Sequence, residues 1–250
     1  MTPLKRLIEL NFTLSDRLEP RHVGETHAFR QFEYHGTIAL LEGGPKRVVD
    51  IGAGKTFHFG HVLKEREDIY VIGLDIDGAE MAGNVALAER IECDACTELP
   101  VEDASIDVML ARAAIEHLHD VRGFLNLAHR KLKPGGKLIV TFPGRWAFFA
   151  ILNQILPSRV GQQLLRSLVP NSEGHLGFPA YYDRATYTRF SRAVQAAGFI
   201  ELVGYPSYYG TGYFRFFAPL FLAVYILDSL RVLIGHRSLA SYNTFVVVKP

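Results

Sequence analysis

The chain has 250 residues, 48% hydrophobic and 21% charged, which is enough apolar material for a large core and too much for a disordered tail. Its 27 Lys and Arg nearly balance 26 Asp and Glu, so a net charge of +1 excludes nucleic acid as the default partner. Cys93 and Cys96 form a single C-x-x-C with no second pair to complete a zinc set. Reduced thiols are expected there, with a redox pair as the alternative.

Met1 to Leu10 lacks the uninterrupted apolar run of a signal peptide and reads as a short amphipathic helix, which makes the cytoplasm the expected compartment. Glu25 to Leu41 places Phe29, Phe32, Ile38 and Leu41 at helical spacing, and Gly43-Gly44-Pro45 stops it. Residues 1–44 therefore read as N-terminal helices. Arg47 to Gly54 is a buried strand running into a glycine turn. Ile69 to Leu74, Arg90 to Cys93, Ile106 to Ala111 and Lys137 to Phe142 read as four further strands. Between the last two lie a helix from Val121 to Leu132 and a Lys133-Pro134-Gly135-Gly136 turn. Asp183 to Ala197 reads as a helix closed by Gly198, followed by a strand over Phe199 to Val203 and a last one over Thr244 to Val248. Strands alternating with helices in this way predict one α/β domain over 1–250, with a doubly wound, seven-stranded, mostly parallel sheet.

Asp50-x-Gly52-x-Gly54 falls where a parallel strand hands over to a helix, and glycine there lets backbone approach a ligand closely. Asp75 ends the next strand about twenty residues on, where an acid can take both hydroxyls of a ribose. Asp94 and Ala95 follow the third strand, where they can read an adenine edge; a turn-forming Asp is the alternative. Two lookalikes fail. Gly54-Lys55-Thr56 has Val49 where a phosphate-binding loop needs glycine, and the dinucleotide fingerprint has Phe57 at its third glycine.

Val48 to Gly54 with Val71 to Ile76 resembles the first two motifs of class I S-adenosylmethionine-dependent methyltransferases (the methyltransferase type 11-like group). Cys93-Asp94-Ala95 with Leu99-Pro100 resembles the third, Ile115-Glu116-His117-Leu118 the segment after strand four, and Leu132 to Gly136 the turn before strand five. The resemblance covers about residues 46 to 142 and implies a Rossmann-like methyltransferase fold with S-adenosyl-L-methionine as cofactor. It implies that Gly52, Ala53 and Gly54 pass beside the methionine part, with Asp50 near its amino group. It further implies that Asp75 takes the ribose, Ile76 packs on adenine, Asp94 and Ala95 read the adenine edge, and Arg112 lies beneath the cofactor. Thr56 departs from the pattern, since many members carry another glycine there, which implies a less open loop.

Methyl transfer to a hydroxyl needs alignment and a proton acceptor, and histidine is the natural base near neutral pH. His117 and His175 are the candidates, with Tyr181, Tyr182 and Asp183 close enough in sequence to share the pocket of His175. A helix-capping role is the alternative for His117. No metal requirement is visible.

Two stretches, 145–182 and 205–241, exceed a minimal α/β domain. They hold the apolar runs Trp146 to Leu156 and Phe216 to Leu227, too short before a breaker or charge to span a membrane. If strands five and six are parallel, both insertions cap the carboxyl edge beside the cofactor. That suggests a hydrophobic or lipid-linked small-molecule acceptor, or peripheral contact with the inner membrane face. An ordinary lid or dimer interface is the alternative. Arg145, Arg159, Arg166, Arg215 and Arg231 suit anionic head groups or plain solvent-facing positions. The sequence thus predicts methyl transfer to a hydroxyl. A non-catalytic binding protein of the same fold at a membrane surface is the competing reading, against which the intact Asp50, Gly52, Gly54 and Asp75 argue.

Overall fold

A computed structural model describes residues 3–18, 20–155, 179–215 and 217–250. Its centre is a seven-stranded sheet: β1 (Lys46–Ile51), β2 (Ile69–Asp75), β3 (Glu89–Glu92), β4 (Ile106–Arg112), β5 (Leu132–Pro143), β6 (Ile200–Ser207) and β7 (Tyr242–Val248). The spatial order is β3-β2-β1-β4-β5-β7-β6. Pairing is parallel from β3 through β5, whereas β7 runs antiparallel to both β5 and β6, so β6 points the same way as the other five. The carboxyl ends of six strands therefore open on one edge.

Strand residues alternate between two cores, as the two-residue period demands. Val49, Ile51, Met109 and Ala111 join one with α4 (Val121–Lys131) and α6 (Tyr187–Ala196). Val48, Val108 and Leu110 join the other with α2 (Glu25–Leu41) and α3 (Gly60–Leu63). Outside these layers lie α1 (Pro3–Leu18), α5 (Phe148–Ile155) and α7 (Ala218–Ile234).

Helix α2 and the positions of the seven strands follow the sequence reading, but several boundaries move. Helix α1 extends to Leu18, well past the first ten residues. The Lys133–Gly136 turn is absorbed into β5 as an irregularity, because Gly135 N–H donates to the Lys249 carbonyl and Lys249 N–H to that of Gly136. Helix α6 starts at Tyr187, four residues after Asp183. Tyr182 and Arg184 sit in left-handed backbone at φ of 50°, and the Asp183 carboxylate accepts the Val121 N–H at 3.0 Å, which ties this segment to the start of α4. Strand β6 runs to Ser207, so the first residues of the 205–241 stretch belong to the sheet and not to a cap. Among the described residues no helix is long and apolar enough to cross a membrane.

Candidate active site at the carboxyl edge

The strand order brings four sequence-distant ends side by side. Asp94 follows β3, Asp75 ends β2, Asp50 to Gly54 end β1, and Arg112 ends β4. At about 4.8 Å between strands, this row spans roughly 14 Å, a length suited to a nucleoside with a tail. The glycine loop is fixed by polar bonds. Gly52 and Ala53 N–H both donate to the Leu74 carbonyl, at 2.8 and 3.2 Å. Gly52 and Gly54 adopt φ of 68° and 48°, where a side chain is strained. A Cβ on Gly52 would stand 2.9 Å from that of Ala114, whereas above Gly54 the nearest atom is 4.0 Å away.

Asp75 joins the two motifs physically. One carboxylate oxygen accepts Gly54 N–H at 3.0 Å and the other accepts Asp77 N–H at 3.1 Å. Asn84, only 2% exposed, donates from its amide to the carbonyls of Ala53 and Gly54 at 3.3 and 3.1 Å. Ile76 beside it is 60% exposed, an apolar side chain presented to whatever covers Asp75.

Behind the loop a cavity of about 90 Å³ is lined by Asp50, Gly52, Ala53, Thr56, His58 and Arg112, with Phe32 and Phe59. It suits the small polar end of a ligand, and the rest of a nucleoside would lie over Asp75 and Ile76. Burial, reinforced by the nearby Asp75 and opposed by Arg112, raises the Asp50 carboxyl to about 7. A buried acid in that state gains from a cationic group placed beside it. Arg112 stacks its guanidinium 5.2 Å from the Phe29 ring centre. A larger cavity of about 280 Å³, between Lys46, Asp107 and Lys133, opens at the opposite, amino edge and is remote from this row.

At the far end of the row, the Asp94 carboxylate accepts Cys96 N–H at 2.9 Å and pairs with His119 Nε2 at 3.0 Å. Partial burial works against ionisation there, but these hydrogen bonds hold the Asp94 carboxyl below its usual range. Ala95 is buried in the core. The thiols of Cys93 and Cys96 are buried, and burial pushes both upward, Cys93 to about 11. Thiols of that kind are poor redox or zinc ligands. Asp94, Cys96 and His119 place ligand atoms within 4.8 Å of one another, but the acid and the imidazole already satisfy each other.

His117 lies after β4, in the short turn Ile115–His117. Its Nδ1 donates to the Pro179 carbonyl at 3.0 Å, so Nε2 is the basic nitrogen, 3.9 Å from Glu116 Oε1. His175 falls outside the described residues. The described segment that follows, from Pro179, is held here, since Tyr181 and Tyr182 N–H both donate to the Glu116 carbonyl, at 2.9 and 3.0 Å.

The whole row, Asp50 to Arg112 in chain order, falls in residues 49–140, which match the family model described as "Methyltransferase domain". A "Probable S-adenosylmethionine-dependent methyltransferase" of Mycolicibacterium smegmatis is 41% identical over 135 residues, 53% of this chain and 52% of that protein. Over residues 49–140 the chain is similar to S-adenosylmethionine-dependent methyltransferases. The malonyl-[acyl-carrier protein] O-methyltransferase 1 of Coxiella burnetii is 34% identical over 108 residues, 43% of this chain and 37% of that protein. The chain thus spans about half or less of the length of these relatives. The solved structure of geranyl diphosphate C-methyltransferase from Streptomyces coelicolor A3(2), in complex with Mg2+, geranyl diphosphate and S-adenosyl-L-homocysteine, aligns with a TM-score of 0.54. At 13% identity over 88% of this chain and 80% of that one, the likeness is one of fold.

Three features of this region escape the sequence reading. Asn84 gives no motif signal, because a buried Asn in a connection looks like any turn former. Ala113 adopts φ of 53° beside Arg112, strain that no residue type announces. Glu116 enters the sequence reading only as part of a resemblance, yet its carboxyl is buried, Oε2 has no hydrogen-bond partner, and burial raises it to about 8.

Proposed function

We propose that this chain transfers the methyl group of S-adenosylmethionine to a hydroxyl of a hydrophobic or lipid-linked small-molecule acceptor. The observation that carries the reading is the single row of Asp50, Gly52, Gly54 and Asp75 at the carboxyl edge of a region similar to methyltransferase domains. The bound cofactor would supply a methyl carbon activated by a sulfonium. The chain's own residues then hold and orient. Gly52, Ala53 and Gly54 leave room for the methionyl tail, Asp50 answers its ammonium, and Arg112 keeps Asp50 from full neutralisation. Asp75 takes the ribose hydroxyls on oxygens already aimed by Gly54 and Asp77, Ile76 covers the adenine, and Asp94 and Ala95 face its edge.

On the acceptor side, His117 is the described base. Its tautomer is set by the Pro179 carbonyl, and Nε2 takes the hydroxyl proton. Glu116, held largely protonated in the apo site at neutral pH, lies beside that nitrogen and gains ionisation as the imidazole becomes charged. The hydrophobic class of the acceptor is supported by the apolar character of the stretches that follow β5 and β6. Phe148, Phe149 and Leu152 of α5 pack with Phe214 and Phe221 in one apolar cluster. The test is turnover with methyl-labelled S-adenosylmethionine and a panel of hydroxylated lipids and water-soluble alcohols. Label entering the organic phase, and lost in His117→Gln, is expected. Binding without any turnover across the panel would favour the non-catalytic reading.

A further inference from the structure

Helix α7 is built inside out. Apart from Tyr225, its polar side chains are Asp228, Ser229 and Arg231, and all three turn toward the protein. Asp228 is 1% exposed, accepts Gly210 N–H at 2.9 Å and pairs with Arg231 at 2.7 Å. Arg231 also donates to the Trp146 carbonyl at 2.7 Å, and Ser229 bonds the Tyr209 hydroxyl at 3.0 Å. The opposite arc is Leu222, Ile226, Leu227, Leu230, Leu233 and Ile234, between 42% and 82% exposed and without a charged residue among them. A surface helix of a globular protein has the reverse polarity, and a continuous apolar face of this kind marks a contact site.

We propose that this face seats α7 in the surface of an anionic lipid bilayer, lying along the interface. The proposal deepens the hydrophobic-acceptor reading and rests on it for its purpose, since β6 delivers this stretch to the same edge as the glycine loop. Charge chooses the partner. The described residues of the stretches 145–182 and 205–241 carry Arg145, Arg215, Arg231 and Arg237 against Asp228, a net +3 in a chain of net +1, which leaves −2 for the remainder. An anionic surface attracts this side and repels the rest. A second copy of the chain is a poorer fit, because protein interfaces carry a polar rim and about one hydrogen bond per 100–200 Å². The outward arc of α7 has no side-chain donor or acceptor. Its 17 residues measure about 25 Å at 1.5 Å per residue, short of the roughly 30 Å hydrocarbon core, so the helix lies in the interface and does not cross it. Helix α1 extends the surface, with Leu10 and Leu14 exposed one turn apart and the Leu18 carbonyl accepting the Tyr225 hydroxyl at 3.0 Å.

The experiment uses the full chain with phosphatidylcholine vesicles, with and without about 30% phosphatidylglycerol, without cofactor or acceptor. Trp146, the sole tryptophan, is 46% exposed just past the end of β5 that faces the same edge, and its quenching by brominated lipid is read beside co-sedimentation. Co-sedimentation with anionic vesicles and quenching of Trp146 are expected. The double variant Ile226→Glu with Leu230→Glu should lose more than about tenfold in partitioning while its melting curve stays unchanged. Two results overturn the proposal: no vesicle binding or quenching by wild-type protein, or a lipid-free dimer that the double variant converts to monomer. Titration with S-adenosylmethionine on the same samples keeps a failure of the docking surface distinct from a failure of the methyltransferase reading.

Discussion

The glycine-loop half of the carboxyl edge and the capping half stand on opposite chemistry. Around Gly52 to Gly54 nearly every fixed contact is polar and involves backbone, from the Leu74 carbonyl to the Asp75 carboxylate and the Asn84 amide. Around α7 the inner face adds aromatic packing to the polar ties of Asp228, Ser229 and Arg231, with Phe214, Phe221 and Val224 in the cluster that α5 and the end of α1 also join. The polar half has one geometry, because each hydrogen bond has a direction. The packed apolar part of the capping half is held by area, which tolerates exchange of one hydrophobe for another. The proposed cofactor recognition therefore falls in the first half, and the proposed acceptor and surface contacts fall in the second.

That contrast can be broken by substitution. The largest effect is expected for Asp75→Ala, which removes both the proposed ribose ligand and the acceptor of Gly54 and Asp77 N–H. Affinity for S-adenosylmethionine should fall on the order of 100-fold or more, read by calorimetry. In the capping half, Phe221→Ala should cost about 3–5 kcal/mol of stability by denaturant melt, since Phe221 is 2% exposed, yet leave cofactor affinity near wild type. Equal losses in both readouts would show that the halves are not separable.

A pH series sharpens the comparison. Asp50 at about 7 and Glu116 at about 8 both stand above their ordinary values of 3.8 and 4.5. A raised carboxyl stabilises the fold below its unfolded value, and that contribution is lost as pH rises through the folded one. The melting temperature of the cofactor-free protein should therefore decline from about pH 5 to 8.5, and Glu116→Gln should flatten the upper part of the decline. Cofactor affinity should move the other way, rising as Asp50 ionises up to about pH 7 and then levelling off. The smallest effect is expected for Leu233→Asn on the outward arc, 82% exposed, with stability within about 0.5 kcal/mol of wild type.

Legibility in the sequence follows the same division. Strands and the glycine loop were readable because buried parallel strands are continuous apolar runs and the turns between them need particular residues, as at Asp50 to Gly54. Where tertiary contacts override local preference, the reading slipped. Lys133 to Gly136 joins β5 because Lys249 pairs with it, and α6 begins late because Asp183 is engaged by Val121. Asn84 and Glu116 were opaque, since their importance lies in what a distant segment places beside them. The apolar run of α7 was visible, but which side faces out was not, because its three polar residues are satisfied by Gly210, Trp146 and Tyr209 from elsewhere in the chain.

The central claim is that the row from Asp94 to Arg112 is a working cofactor site, and its most direct test is calorimetric titration with S-adenosylmethionine and S-adenosylhomocysteine of wild-type protein and Asp75→Ala. Saturable one-to-one binding by wild type, abolished in the variant while its fold persists by circular dichroism, is the predicted result. Folded wild-type protein that binds neither compound would contradict the account.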